Sequence, residues 1–418
     1  MTAQGAQHRQ GVLRKADFRR LWIADALSQV GSRIDFLAVP LLAATTLGAT
    51  VFQVSLLRTL ETLPYLVLGL QVGAWCDRMR HRPVLIAADL GRAALIGSIP
   101  IAAWFGVLGL GQVLTVVFAI GVLGVFFDIA HPTYVPHLVA RADLPEANAR
   151  LQTNRSTAAV AGPGLAGLII TAVGISGAML ADALSYLWSA LWLRRIETPD
   201  VRPAPSPRRH LGREIGEGLR VVAKDGILRA IGLHSALTSL FQSIQLGVVI
   251  VFLTRDLGLS PLAIGLMSTA SLTGALTAGF TARKVGKLIG HARALWGAAV
   301  VFGLAFQLYP FTDRGWGIAW YVAAGFGSSF GVIMLSVFGM SFQQTIAPPH
   351  LLGRVNSVSH TLVLGVVPIG SALGGILAGT IGMRPTLHVA AAGVLAATAV
   401  LIFSPLRGLR DLPAPTGA

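Results

Sequence analysis

Five polar residues recur at helical spacing near the start of the chain. Asp25, Ser28, Gln29, Ser32 and Asp35 stand at i, i+3, i+4, i+7 and i+10, which lays them along one face of a helix. Their neighbours are apolar, so this face turns toward a packed interior or a wet cavity. Removal from water penalises the ionised form of a carboxylate, as reversible protonation requires. Asp35 is the deepest of the five and the leading candidate to carry a proton or meet a substrate, followed by Asp25 and, on the next apolar segment, Glu61. The opposing reading pairs Asp35 permanently with Arg33 or Arg58 for structure alone.

Asp89, Asp128 and Asp182 also lie in apolar segments of the first half. From residue 226 onward the acids are Asp256, Asp313 and Asp411, in loops or the tail. If carboxylates move protons here, the first half must hold them. Arg58 and Glu61 at i, i+3 share a face with Thr62 and Tyr65 and read as a local ion pair or a gate. Asp89 and Arg92 share that spacing and read as structural. The second half offers His234, Gln242 and Gln245, then Phe330, Phe338, Phe342 and Gln343, then Asn356 and His360. Apolar and aromatic walls with scattered polar groups suit a bulky amphiphilic ligand. The plainer reading of those phenylalanines is packing, and of the histidines an interhelical hydrogen bond. The cavity candidates are Gln29, Ser32, Arg33, Arg58, Tyr65, His234, Gln242, Gln245, Phe338 and His360.

Enzyme chemistry finds little footing. There is no Gly-x-x-x-x-Gly-Lys-Ser/Thr phosphate loop, no His-Glu-x-x-His pair and no Gly-x-Ser-x-Gly elbow. Cys76 is the one cysteine, so no internal disulfide or multi-cysteine metal site forms. No cofactor and no metal are expected.

The elements that must position these residues follow from composition. Of 418 residues, 54% are hydrophobic and 12% charged, too few charges to cover a water-exposed surface. The apolar residues come in blocks near the length that crosses a bilayer as a helix, and 48 glycines suit close helix contacts in lipid. Helical spans are expected at 20–47, 51–75, 83–107, 112–136, 149–173, 177–196, 226–254, 262–282, 292–311, 316–345, 355–380 and 384–404. Most of the 33 Lys and Arg fall in the N-terminal tail, the loop after span 2, the central stretch and other connections on the same side. Only Arg255, Arg314 and Arg384 fall opposite. The positive-inside rule then puts both termini in the cytoplasm. It also accounts for the formal charge of +15 without nucleic acid. No cleavable leader is expected, since a basic polar stretch precedes a long first span.

Residues 197–225 contain PDVRPAPSPRR, an extended linker, and then Leu211, Ile215, Leu219 and Val222 at helical spacing, an amphipathic helix. They divide the chain into 1–196 and 226–418. The segment after span 4 (YVPHLVARADLPEANARLQTNRSTAAVAGPGLAGLI) and that after span 10 (QTIAPPHLLGRVNSVSHTLVLGVVPIGSALGGIL) share a Pro-containing loop, an Asn on the following helix and a Gly-rich stretch. The expected architecture is all-α and integral to the membrane, with twelve transmembrane helices in two pseudo-symmetric six-helix bundles. Such repeats build secondary transporters with a midplane site and alternating access.

The sequence resembles the major facilitator superfamily over nearly its whole length. Gly73-Ala-Trp-Cys-Asp77-Arg78-Met-Arg80-His81-Arg82 looks like that family's Gly-x-x-x-Asp-Arg-x-Gly-Arg-Arg/Lys signature, with Arg80 in place of glycine and His81 in place of arginine. The resemblance implies a cytoplasmic gate of Gly73, Asp77, Arg78, Arg82 and Asp128, with Asp77 against the start of span 11 and Asp128 paired with the basic cluster. FRRLW at the start, Asp89-x-x-Arg92, FFDIAHPTYVPHLV, Asp182-Ala-Leu-Ser and Gly353-Arg-Val-Asn356 look like the macrolide-efflux and enterobactin-exporter branch. Gly162-Pro163-Gly164-Leu-Ala-Gly167 partly matches the exporters' antiporter motif in span 5. The resemblance implies a monomeric, proton-coupled exporter of drugs, natural products or siderophores in the cytoplasmic membrane. A proton-coupled importer on the same fold is the alternative, and a membrane enzyme or sensor stands further off.

Overall fold

The structure is a computed structural model that describes residues 11–76, 78–200, 211–347 and 351–411, with the backbone alone at 70, 74, 211–215, 217–218 and 357. Its helices are α1 (Ala16–Leu41), α2 (Val51–Cys76), α3 (His81–Trp104), α4 (Leu110–Leu138), α5 (Leu144–Arg194), α6 (Leu211–Lys224) and α7 (Gly226–Val251). They continue with α8 (Pro261–Ile289), α9 (His291–Phe306), α10 (Ile318–Ile346), α11 (Leu352–Gly365), α12 (Val367–Ile381) and α13 (Met383–Ile402).

Among the described residues, ten segments are long and apolar enough to cross a membrane. One of them, Arg141–Arg194, has 54 residues and bends where Gly174 takes φ 76°, so it makes two crossings. The α11–α12 pair crosses once, broken at Val366 just before Pro368. Helix α1 is less apolar because it carries Asp25, Arg33 and Asp35. With α1 and both limbs of α5 counted, the chain is a twelve-crossing, all-helical membrane protein. Large apolar side chains cover the outside, among them Trp104, Phe280 and Trp316, each more than four-fifths exposed.

Crossings alternate in direction and so define two faces. The terminal face holds the start of α1, the end of α13, α6 and the α2–α3, α4–α5 and α8–α9 turns. The far face holds the turns that begin new hairpins, and there the duplication is plain. Helix α1 runs into a π-turn at Leu42–Thr46 and α7 into one at Phe252–Asp256. Both close with the same bonds: Leu47 N donates to Leu42 O (3.2 Å) as Leu257 N does to Phe252 O (3.2 Å). Gly48 (φ 62°) and Gly258 (φ 65°) follow at the matching place, in the left-handed region that favours glycine. Gly106 pairs in the same way with Gly315, and Gly174 with Gly382, always about half the chain apart.

Packing separates the halves at one face and joins them at the other. In the first half α1 and α3 pack on α5, and α2 and α3 on α4; in the second, α12 and α13 pack on α7, and α8 and α9 on α10. Toward the terminal face each half has its own core, around Phe18, Leu21 and Tyr134 in one and around Leu295, Met334 and Phe342 in the other. Toward the far face a single core takes Leu37, Leu41 and Leu42 from the first half with Val249, Phe252 and Ile264 from the second. The molecule is thus closed at the far face and splayed toward the terminal face.

Glycines set the closure. A Cβ on Gly167 of α5 would meet the Pro261 carbonyl oxygen of α8 at 2.5 Å, and one on Gly375 of α12 would meet the Phe52 Cα of α2 at 3.0 Å. Such approach is how helices pack tightly where lipid supplies no hydrophobic drive. Polar bonds reinforce it: Ser55 Oγ donates to Gly247 O (2.7 Å), and one Arg255 Nη donates to Ala44 O (2.6 Å) and Ala49 O (2.7 Å).

Candidate functional site

The polar stripe of α1 turns into the first half, where α3, α4 and α5 meet it with polar groups of their own. Three nodes follow one another along α1. Nearest the terminal face, Asp25 is buried, accepting from Asn154 Nδ2 (3.0 Å) and Gln29 Nε2 (3.3 Å), with His131 Nε2 at 3.6 Å. Asn154 Nδ2 also reaches Trp22 O, which ties α5 to α1 (3.0 Å).

The second node crosses from α3 to the outer limb of α5, the part after Gly174. Asp89 has no exposed surface; it accepts from Ser189 Oγ (2.6 Å) and is ion-paired with Arg92 at 3.1 Å. The Arg92 guanidinium lies over the rings of Phe127 (4.3 Å) and Tyr186 (4.9 Å), so the cation is neutralised on its edge and covered on its faces. Ser32 of α1 contacts Tyr186 Oη at 3.2 Å.

The third node is deepest. The Asp35 and Asp182 carboxyl groups lie together, Asp182 Oδ1 sitting against Gly31 one turn of α1 before Asp35, and Ser185 Oγ donates to Asp182 Oδ1 (3.2 Å). From here the site opens into a cavity between the halves. Asp35, Arg58 and Glu61 supply its polar wall; Phe36, Leu57, Ile120 and, from α7, Leu246 and Ile250 supply apolar surface. Arg58 and Glu61 are ion-paired at 2.7 Å, and Arg58 lies 5.3 Å from the Phe36 ring centre. The chamber thus sets one carboxyl group and one ion pair against apolar walls.

Other expected site residues lie elsewhere. Arg33 packs its stem against Gly162 of α5. Gln242 is half-buried and Gln245 buried on α7, and His360 is exposed on α11. Buried His234 bonds through Nδ1 to Ala397 O (3.0 Å), joining α7 to α13. Phe338 sits in the second half's core with the His291 ring edge-on at 5.7 Å. In the α5 motif, a Cβ on Gly265 of α8 would collide with Pro163 O, and Gly164 N donates to Thr269 Oγ1 (3.0 Å). Gly162, Pro163 and Gly167 therefore build contacts to α1 and to the other half.

At the terminal face Asp77 lies outside the described residues. Gly73 is in α2 with open space around it, and Arg78 is exposed. Arg82 donates through Nε to Leu193 O (3.0 Å) and also reaches Arg194 O, capping the end of α5. Asp128 accepts from Tyr65 Oη (2.8 Å). Among the described residues Asp128 does not pair with the basic cluster: Arg82 spends its side-chain donors on helix-end carbonyls and Tyr65 donates to Asp128.

His131 and the outer limb of α5 escaped the sequence reading as site residues. The limb did carry a signal: Asp182, Ser185, Tyr186 and Ser189 stand at i, i+3, i+4 and i+7, the spacing already seen on α1.

A family model described as transmembrane secretion effector matches residues 10–414. Multidrug efflux pump Tap of Mycolicibacterium fortuitum is 27% identical over 396 residues, covering 91% of this chain and 93% of its own. Macrolide efflux protein A of Streptococcus pyogenes is 22% identical over 383 residues, covering 88% and 91%. Among solved structures, a bacterial homologue of the iron transporter ferroportin in its inward-facing state superposes with a TM-score of 0.74 at 19% identity, covering 94% of this chain and 99% of that one.

Proposed function

The chain belongs to the transmembrane secretion effector family of major facilitator transporters, and on that premise we propose that it exports hydrophobic or amphiphilic small molecules in exchange for protons. One observation carries the proposal: Asp35 belongs both to a buried carboxyl pair and to the wall of the cavity between the halves. A group in that position is the natural point at which substrate and proton occupancy depend on each other. The names of the relatives, multidrug and macrolide efflux proteins, support outward transport, and the apolar cavity wall supports a greasy substrate.

The basic residues gathered at the terminal face support a cytoplasmic assignment for that face and for both termini in the cell membrane. The conformation described is then open to the cytoplasm. Substrate enters from the cytoplasm or inner leaflet and settles against Phe36, Leu57 and Ile250. Rocking of the two halves, 1–196 and 226–418 about the 197–225 linker, breaks the α5–α8 and α2–α12 contacts and opens the far face. A proton arriving from outside at Asp35 resets the cycle. One chain holds the whole cavity, which supports a monomer.

Everted membrane vesicles test this directly. With a panel of macrolides and cationic dyes, an exporter of this kind dissipates a preformed pH gradient when substrate is added, and only in vesicles containing the protein. Transport that ignores a collapsed gradient would overturn proton coupling. Substrate accumulation in intact cells would overturn export in favour of import.

A further inference from the structure

Asp182 Oδ1 lies against Gly31 of α1, one helical turn before Asp35, so the two carboxyl groups are brought side by side. Ionised carboxylates only accept hydrogen bonds, so a bond between two carboxyl groups needs a proton on one of them. Among the described residues no donor reaches Asp35 Oδ1 or Asp182 Oδ2, both buried, while Ser185 is occupied at Asp182 Oδ1. Asp182 is wholly enclosed; Asp35 alone touches the cavity.

Arg92 and Arg58 already have acids of their own. From α3, Arg92 faces the pair but is held by Asp89. From α2, Glu61 faces it with its charge met by Arg58. From α5, Tyr186 is turned to Ser32, and on α1 Arg33 lies against Gly162. Asp128 and His131 of α4 bond to Tyr65 and lie beside Asp25, respectively. Helix α1 is also shaped for the contact. A Cβ at Gly31 would collide with Asp182 Oδ1 and Ser185 Oγ, so the absence of a side chain there lets Asp182 reach across to Asp35.

We propose that Asp35 and Asp182 hold a single proton between them, and that this shared proton, rather than one on an isolated Asp35, is the proton exchanged in transport. The inference deepens the exporter reading and rests on it only for the word exchanged. When the pair opens, the proton passes to water in the cavity on the Asp35 side and leaves two carboxylates; when it closes, one proton from water restores the bond. Asp182 is then a positioning residue, acting through Asp35.

Infrared difference titration of the full-length protein in nanodiscs tests the pair without any substrate. A shared proton gives one protonated-carboxyl signal that disappears on raising pH, and Asp35→Asn and Asp182→Asn each abolish it completely. The double variant looks like either single one. In each single variant the amide donates to the remaining carboxylate, so folding survives, and unchanged melting confirms that. Gly31→Ala, with both acids retained, also loses the signal or splits it in two. Independent signals, one removed by each single variant and both by the double, would overturn the proposal, as would a signal that persists in Asp182→Asn. Vesicle assays of the same variants separate the two readings. If protons drive export while the infrared signals are independent, the pair is refuted and the exporter stands. If the signal behaves as shared while export ignores the proton gradient, the exporter reading falls and the pair remains.

Discussion

The two halves share a backbone plan and spend their polar side chains in opposite ways. In the first half polar groups meet one another: Asp25 with Asn154, Asp89 with Arg92 and Ser189, Asp35 with Asp182. In the second, Gln343 reaches Ser359 Oγ (3.3 Å), but most bonds between helices go to backbone carbonyls: His234 reaches Ala397 O, Gln307 reaches Ala391 O (2.6 Å), Thr398 reaches Ala299 O (3.1 Å) and Ser239 reaches Val363 O (2.8 Å). A side chain that ties down a neighbouring helix's carbonyl fixes geometry and has no charge state to change. A carboxyl network has alternative proton arrangements. On the proposed mechanism one half holds still while the other switches.

The largest effect that could break this contrast concerns coupling. Asp35→Asn keeps a polar group of the same size and removes the titratable one. Substrate-induced proton release in everted vesicles should fall to the level of vesicles lacking the protein, with expression unchanged. Gln245→Leu, its counterpart probe in the second half, should leave the proton release intact. Coupling retained in Asp35→Asn, or lost in Gln245→Leu, would erase the division of labour.

The next effect is on stability. Arg92→Gln leaves Asp89 buried without its cation, and breaking one side of a buried pair costs roughly 3–5 kcal/mol. The detergent-solubilised variant should melt well below the parent, and Asp89→Asn in the same chain should restore part of the loss. A melting temperature that Arg92→Gln does not move would mean that the Asp89 charge is met elsewhere.

How much of this could be read from residue order depends on which residues carry the work. The α1 stripe was legible because five polar residues in an apolar run leave few places to point. The partner stripe on the outer limb of α5 has the same spacing, yet Asp182 reads first as one more acid in a span. Cavity walls such as Leu57, Ile120 and Ile250 have no sequence mark at all, because any membrane helix is rich in them; only the tertiary arrangement separates a wall from a lipid-facing side chain. Phe338 illustrates the converse, an aromatic expected near a pocket that packing against His291 assigns to the core. The two limbs of α5 were anticipated as separate spans, and Gly174 supplies the bend between them.

A smaller effect bears on where the halves meet. Arg255 stands in the second π-turn at the place Thr45 occupies in the first, and its guanidinium crosses to the first half. Its hydrogen bonds to Ala44 and Ala49 hold the far face shut. Hydrogen bonds from a charged group are worth about 1.5–3 kcal/mol each, partly recovered by water when the face opens. Arg255→Gln should therefore shift the population toward the open far face by about tenfold, the equivalent of ~1.4 kcal/mol. Spin labels at Thr50→Cys and Ser260→Cys, in a Cys76→Ser background, would show a longer distance gaining weight. An unchanged distance distribution would place the latch in the apolar core around Leu41 and Phe252 instead.

The smallest expected effect is the sharpest on the second half, because it asks for a change in one property and none in another. His234 is buried, its Nδ1 bonded to Ala397 O at 3.0 Å, and its Nε2 has no hydrogen-bond partner among the described residues. A neutral imidazole donating from Nδ1 satisfies this geometry, and the bond does only what any donor of similar reach would do. His234→Leu removes one interhelical hydrogen bond while filling most of the space, so it should cost about 0.5–1.5 kcal/mol of stability. A fall of a few degrees in melting temperature would register it. The pH dependence of export and the protons released per substrate should not move, since the proposed exchange uses no charge state of the second half. A changed proton stoichiometry in His234→Leu would make that histidine a participant, and the still half would no longer be still.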